Sequence, residues 1–191
     1  MAGLGDRLAK SLDACFIQQR YSRLVIDCNR KLGAGDSIPQ VSDGEPIPGN
    51  VGLAAADVMA REREIFRPYH DAIAAELDRR ALAGRRTVLV SLHSFTPVFQ
   101  NQSRPWRMGV LHRNDSALSS RMLALLRERL GDGAGDNQPY RMDETDNTIP
   151  LHADPRGLDY LELEVRQDLI ADEEGQARAA SLIGPLLAQA I

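Results

Sequence analysis

An α/β fold is predicted for this 191-residue chain by three of its stretches. Between Thr87 and Phe99 the run Val88, Leu89, Val90 and Leu92 is too continuously apolar for a strand wetted on one face. It reads as a buried central strand that meets His93 and Ser94 at its carboxyl end. Further on, YLELEVRQDL (160–169) alternates strictly, with Leu161, Leu163 and Val165 on one face and Glu162, Glu164 and Arg166 on the other. Helical spacing surrounds both, in Leu4, Leu8 and Leu12 at the start and in Ile183, Leu186 and Leu187 within a final helix over about 172–190. Open α/β sheets place ligands at the carboxyl ends of their parallel strands, where the loops diverge and leave a crevice. His93 and Ser94 therefore mark the first place to look for chemistry, although a histidine there also suits a satisfied structural imidazole.

Composition excludes several classes of function. The length suits one domain over 1–191, and 43% apolar with 26% charged residues is ordinary for a globular chain. A net charge of −4 argues against a nucleic-acid binder, which needs a basic patch to neutralise phosphates. Lys10 and Lys31 are the only lysines, so arginine carries nearly all the positive charge and could supply rigid forks for carboxylates. Cys15 and Cys28 are too few for a disulfide framework, which points to a reducing cytoplasm. No apolar run approaches a membrane span, and MAGLGDRLAK lacks the apolar core of a signal peptide.

The remaining elements follow in order. After the first helix, residues 14–28 carry two short β-like runs, CFIQQ and RLVID, ending in Asp27, Asn29 and Arg30. From Lys31 to Leu53 glycines and prolines recur, which gives a long loop, read here as covering a site. Ala54 to Ala83 is helical with Ile65, Tyr69, Ile73 and Leu77 four apart, and Pro68 predicts a kink or break near Phe66. Gly84 ends that helix ahead of the strand. WRMGVLH (106–112) reads as the next strand, and Asp115 or Ser116 can cap a helix carrying Leu118, Met122, Leu125 and Leu126. Residues 131–158 read mostly as loop, with Tyr140, Asp143, Glu144, Asp146 and His152 in it.

The face with Glu162, Glu164 and Arg166 has two readings. Ionised groups on a buried strand cost several kcal/mol each unless paired or turned toward a polar cavity. Either this is an edge strand with a solvated face, or Glu164 is aimed into the crevice marked by His93 as a general base. Simpler signatures are absent. No HExxH pair, phosphate-binding glycine loop or GxSxG elbow occurs, and His70, His93, His112 and His152 are scattered.

The segments RLVIDCNR, VLVSLHSF, GDNQPY and LELEVRQDL, in this order over nearly the whole chain, resemble the N-formylglutamate amidohydrolase family. That family in turn looks like the zinc carboxypeptidases and related deacylases. The resemblance implies a three-layer α/β/α fold with a mixed sheet, and hydrolysis of a small N-acyl amino acid such as N-formyl-L-glutamate. It implies that His93 is a zinc ligand, that Glu164 is the base acting on metal-bound water, and that Arg166 lies near the scissile group or steadies Glu164. Asn29 and Arg30 match the pair that grips a substrate carboxylate.

One part of the family pattern is missing. Its first strand precedes the helix that opens this chain, and the loop after that strand supplies a His-containing metal motif. Catalytic zinc normally takes three protein ligands plus water. His152, Asp143, Glu144 and Asp146 lack a trustworthy ligand spacing. The expectation is an amino-terminally shortened domain, either active with an upstream segment or a non-catalytic carboxylate-binding relative. A missing strand also exposes sheet edges, which a homo-oligomer could cover.

Overall fold

The computed structural model describes residues 1–113 and 116–191. In chain order it contains α1 (Ala2–Leu12), β1 (Val41–Ser42), β2 (Glu45–Pro46), α2 (Ala55–Arg61), a π-turn (Glu62–Phe66) and α3 (Arg67–Leu82). Then come β3 (Val88–Phe95), β4 (Val98–Phe99), β5 (Gln102–Ser103), β6 (Met108–Leu111), α4 (Ala117–Leu130), β7 (Ala134–Asp136), α5 (Thr148–His152), β8 (Asp159–Arg166) and α6 (Glu173–Ala190). The chain divides into two compact units. Unit 1 comprises Met1–Phe16, Val88–Met142 and Leu158–Ile191, and unit 2 comprises Ile17–Thr87 and Asp143–Gly157.

Unit 1 is built on a mixed sheet of order β3-β8-β6-β7, in which β8 runs parallel to β3 and antiparallel to β6, and β6 runs parallel to β7. The alternation of β8 sends Leu161, Leu163 and Val165, each fully buried, into one apolar layer. There they join Met108 and Val110 of β6, Leu4 and Leu8 of α1, Leu118, Met122 and Leu126 of α4, and Ile183 and Leu187 of α6. Each such side chain is worth roughly 1.5–3 kcal/mol of transfer free energy, so this layer is the principal stabiliser of the unit. The predicted caps form where they can be seen. Ser116 Oγ accepts from the Ser119 N–H at 3.0 Å, and Asp172 Oδ1 accepts from the Gly175 N–H at 2.7 Å. Asp115, the other candidate cap, lies outside the described residues.

Strand order differs from the expectation. The interior strands are β8 and β6, while β3 lies at the edge of the described sheet with a neighbour on one side only. Val88, Leu89, Val90 and Leu92 are accordingly half-buried, not buried. An apolar run reports that a strand is covered, and says nothing about how many strands flank it.

The expected strands at 14–28 do not form, and in unit 2 the 17–28 stretch is held by other means. Asp27 Oδ1 accepts from the Asn29 N–H at 2.9 Å, an Asx turn that competes with extended pairing. Ile26 and Cys28 pack with Ile65 and Phe66 of the π-turn, which gives the segment burial without a sheet. Asn50, 3% exposed, donates to the carbonyls of Leu24 (2.7 Å) and Pro39 (2.6 Å), and Arg61 donates to Asn50 Oδ1 at 2.6 Å. The 31–53 loop is thus pinned by one buried amide. It also contains the small antiparallel hairpin β1–β2, turned by Asp43 (φ 52°) and Gly44 (φ 82°), an Asp-Gly pair suited to positive φ at both positions.

The disturbance expected from Pro68 is present as the π-turn just ahead of it. Proline cannot donate to the carbonyl four residues back, and widening the preceding turn absorbs the loss. The 131–158 stretch, expected to be mostly loop, holds β7 in unit 1 and α5 in unit 2.

Candidate functional site

Register places the polar residues of unit 1 on one face of its sheet. Glu164 pairs with His93 across the parallel β3–β8 ladder, and Glu162 pairs with Ser91. On the other flank Glu164 faces Gly109 and Glu162 faces Leu111 of β6. Since side chains two apart share a face, Ser91, His93, Glu162 and Glu164 lie together, opposite the apolar layer of Leu161, Leu163 and Val165. Glu162 is 2% and Glu164 5% exposed. Of the two readings of this strand, the solvated edge is therefore excluded: the carboxylates are on an interior strand and buried. Ser91 Oγ lies 2.8 Å from His93 Nε2, which orients the imidazole from its own strand.

Gly109 shows how closely this face is packed. A Cβ there would sit 1.8 Å from the Gln138 carbonyl oxygen, so only glycine lets the 136–140 loop cross β6 beside Glu164. At the edge of the same loop His112 Nε2 lies 2.8 Å from Asp136 Oδ1.

Arg166 lies two residues beyond Glu164, in register with Phe95. Its Nε and Nη2 meet both oxygens of Asp168 at 2.8 and 3.2 Å, and its Nη1 reaches the carbonyls of Arg104, Pro105 and Trp106 at 3.3–3.5 Å. Those bonds hold the Asp168 carboxyl below its ordinary range. These contacts of Arg166 tie a loop to the strand end.

Asn29 and Arg30 belong to unit 2. Arg30 Nε donates to Asp36 at 2.8 Å, and its Nη1 donates to Asp146, which burial pushes upward in pKa against the pull of Arg30. Asn29 Oδ1 accepts from the Thr148 N–H at 3.0 Å, and its Nδ2 lies 3.4 Å from Asp146. The pair expected to grip a ligand is thus also the link between the 27–30 turn and the segment leading into α5.

Unit 2 also contains a buried histidine pair that spacing could not show, since 82 residues separate its members. His70 Nε2 lies 2.9 Å from the Cys28 carbonyl, which can only accept, so this nitrogen carries the proton and takes none from the Asn147 amide nitrogen 3.1 Å away. His70 Nδ1 is then a bare acceptor for His152 Nε2–H at 2.9 Å. His152 Nδ1 is left unprotonated, buried and without a hydrogen-bond partner among the described residues. Burial first, then the charges of His70 and Arg156, lowers the His152 pKa to about 4, and burial lowers that of His70 as well.

No group of three or more His, Cys, Asp or Glu side chains gathers around a common point among the described residues. His93 and Glu164 can supply part of a metal site, and the described residues do not complete one. No helix among them is long and apolar enough to cross a membrane.

The model of the family described as N-formylglutamate amidohydrolase matches residues 2–171. The crystal structure of gene product Atu2144 from Agrobacterium tumefaciens aligns with a TM-score of 0.93 and 37% identity, over 99% of this chain and 75% of that one. N-formylglutamate amidohydrolase from Ralstonia eutropha JMP134 aligns with a TM-score of 0.65 and 19% identity, over 97% of this chain and 79% of that one, a likeness of fold. No curated protein matches the chain.

Proposed function

The chain belongs to the N-formylglutamate amidohydrolase family, and from that premise we propose that it hydrolyses the N-acyl bond of a small acylated acidic amino acid, with N-formyl-L-glutamate as the reference substrate. The observation that supports this reading best is Glu164, a carboxylate buried on a central strand beside His93. A buried acid on a rigid strand is oriented before substrate arrives, and exclusion of water strengthens its interactions with a reacting group. In the reaction Glu164 takes a proton from the attacking water as its oxygen bonds to the acyl carbon. It then returns that proton to the nitrogen as the carbon–nitrogen bond breaks, giving formate and glutamate from the reference substrate.

Zinc is the expected cofactor, with His93 as one ligand; the proton path above uses only this chain's own residues. Asn29 and Arg30 are proposed to meet a substrate carboxylate, through Arg30 Nη2, since Nε and Nη1 are engaged by Asp36 and Asp146.

The test is release of formate from N-formyl-L-glutamate by the purified chain with zinc supplied, compared with Glu164→Gln. A general base contributes about 10²–10⁴-fold, so the variant should lose turnover by that factor and keep ligand binding. The donor set, incomplete among the described residues, favours one competing reading, a non-catalytic carboxylate binder. Ligand binding by the wild-type chain with zinc-independent absence of turnover would establish that reading and remove the hydrolase.

A further inference from the structure

Arg104, in the connection between β5 and β6 of unit 1, is 9% exposed. Its guanidinium carbon lies 4.6 Å from the centre of the Phe99 ring and 4.7 Å from that of Tyr140, so the group rests against two aromatic rings. Nη1 donates to Tyr140 Oη at 2.8 Å and to Thr96 Oγ1 at 3.3 Å, and the backbone N–H donates to the Pro97 carbonyl at 2.8 Å. These contacts lock the side chain without neutralising it, because rings and hydroxyls carry no negative charge. Among the described residues no carboxylate pairs with Arg104, whereas Arg156 and Arg166 each hold one and Arg30 holds two. The sequence agrees, since no acidic residue stands between Asp78 and Asp115.

With both Nη1 protons used, the Nε–H and the two Nη2–H groups are left. Neither nitrogen is among the fully buried atoms that lack a partner, so this edge of the fork keeps some access to solvent. Nε–H and Nη2–H are parallel donors spaced for the two oxygens of one carboxylate. Arg104 is anchored at Thr96, the residue that follows β3, and its carbonyl accepts from Arg166 at the end of β8. It therefore sits at the strand ends that carry His93 and Glu164.

We propose that Arg104 is a specificity-determining residue whose free Nε/Nη2 edge receives a carboxylate of the substrate, with Phe99 and Tyr140 holding the guanidinium in place. This rests on the hydrolase reading for the identity of the ligand, while the site stands on its own geometry. Removing the fork strips charge recognition from a polar site, which is where large discrimination between near-isosteres arises.

The test uses the full chain and its Arg104→Met and Arg104→Lys variants, each checked for folding by circular dichroism. Turnover is measured on N-formyl-L-glutamate and on its two monoamides, each lacking one carboxylate, and calorimetry measures binding of glutarate. Wild-type protein should discriminate against one monoamide by about tenfold or more, and Arg104→Met should abolish that preference while its rate on the same monoamide changes little. Arg104→Lys retains the charge and stem but not the fork, so it guards against misfolding of the methionine variant and should also lose most of the preference. Unchanged selectivity in the folded variants would overturn the proposal and leave the hydrolase reading intact. If the wild type turns nothing over, glutarate binding that weakens about tenfold in the variants sustains the role of Arg104 and removes the hydrolase; equal binding, or none, overturns the proposal.

Discussion

Acid should destabilise this protein through His152, and the size of the effect follows from the buried pair in unit 2. With His70 Nε2–H committed to the Cys28 carbonyl, a proton can add to His152 only at Nδ1, which has no acceptor nearby among the described residues. The folded-state pKa is about 4 against an ordinary 6.5. A depressed pKa means that the unfolded chain binds more protons between these values. Stability is then full above 6.5 and falls as pH drops toward 4. Integrating one site between about pH 7.5 and 4.5 gives a loss of about 2.5 kcal/mol. The measurement is urea unfolding of the wild type and of His152→Gln at both pH values, since glutamine can still donate to His70 but does not titrate. The carboxylates contribute equally to both proteins, so the difference between their pH dependences reports the histidine pair. Equal losses would refute the reasoning, and so would an NMR titration of the His152 ring centred at its ordinary 6.5.

Other substitutions test the sheet and its caps. Leu163→Ala opens a cavity under β8, and chemical unfolding should show a loss of about 3 kcal/mol. Gly109→Ala forces a methyl onto the Gln138 carbonyl, a backbone atom that cannot rotate away, and should cost about 2 kcal/mol together with hydrolytic activity. Ser116→Ala removes an acceptor from the first turn of α4 and should cost about 1 kcal/mol in thermal or urea unfolding, leaving activity unchanged.

Periodicity made the major helices and the long strands readable because each buries one regular stripe. It could not order the strands. The run at 88–92 is the more apolar, yet the charged strand β8 is an interior one, because Glu162 and Glu164 line a buried polar face. That outcome depends on Ser91, His93 and Gly109 being brought alongside, which no local pattern records. The β-like composition of 23–27 gave a strand that does not form, since Asp27 turns the chain and supplies the local hydrogen bond itself. The Asp43–Gly44 pair was a readable turn signal, obscured by the other glycines and prolines around it. β7 is three residues long with glycine in the middle, too short for alternation to show. Arg104 lay in what read as a plain turn, and only the approach of Tyr140 from a distant loop makes a clamp of it.

The π-turn ahead of Pro68 amounts to one residue more than a regular helix would use. Deleting one residue from 62–66 would let that turn narrow to the α-helical form, although Pro68 would still leave one carbonyl without its N–H. Because the widened turn spans with five residues about what an α-helix spans with four, the turns on either side would stay in phase, and His70 would keep facing Cys28 and His152. The extra residue is therefore absorbed locally, and a lineage could gain or lose it without rewriting the buried face of α3.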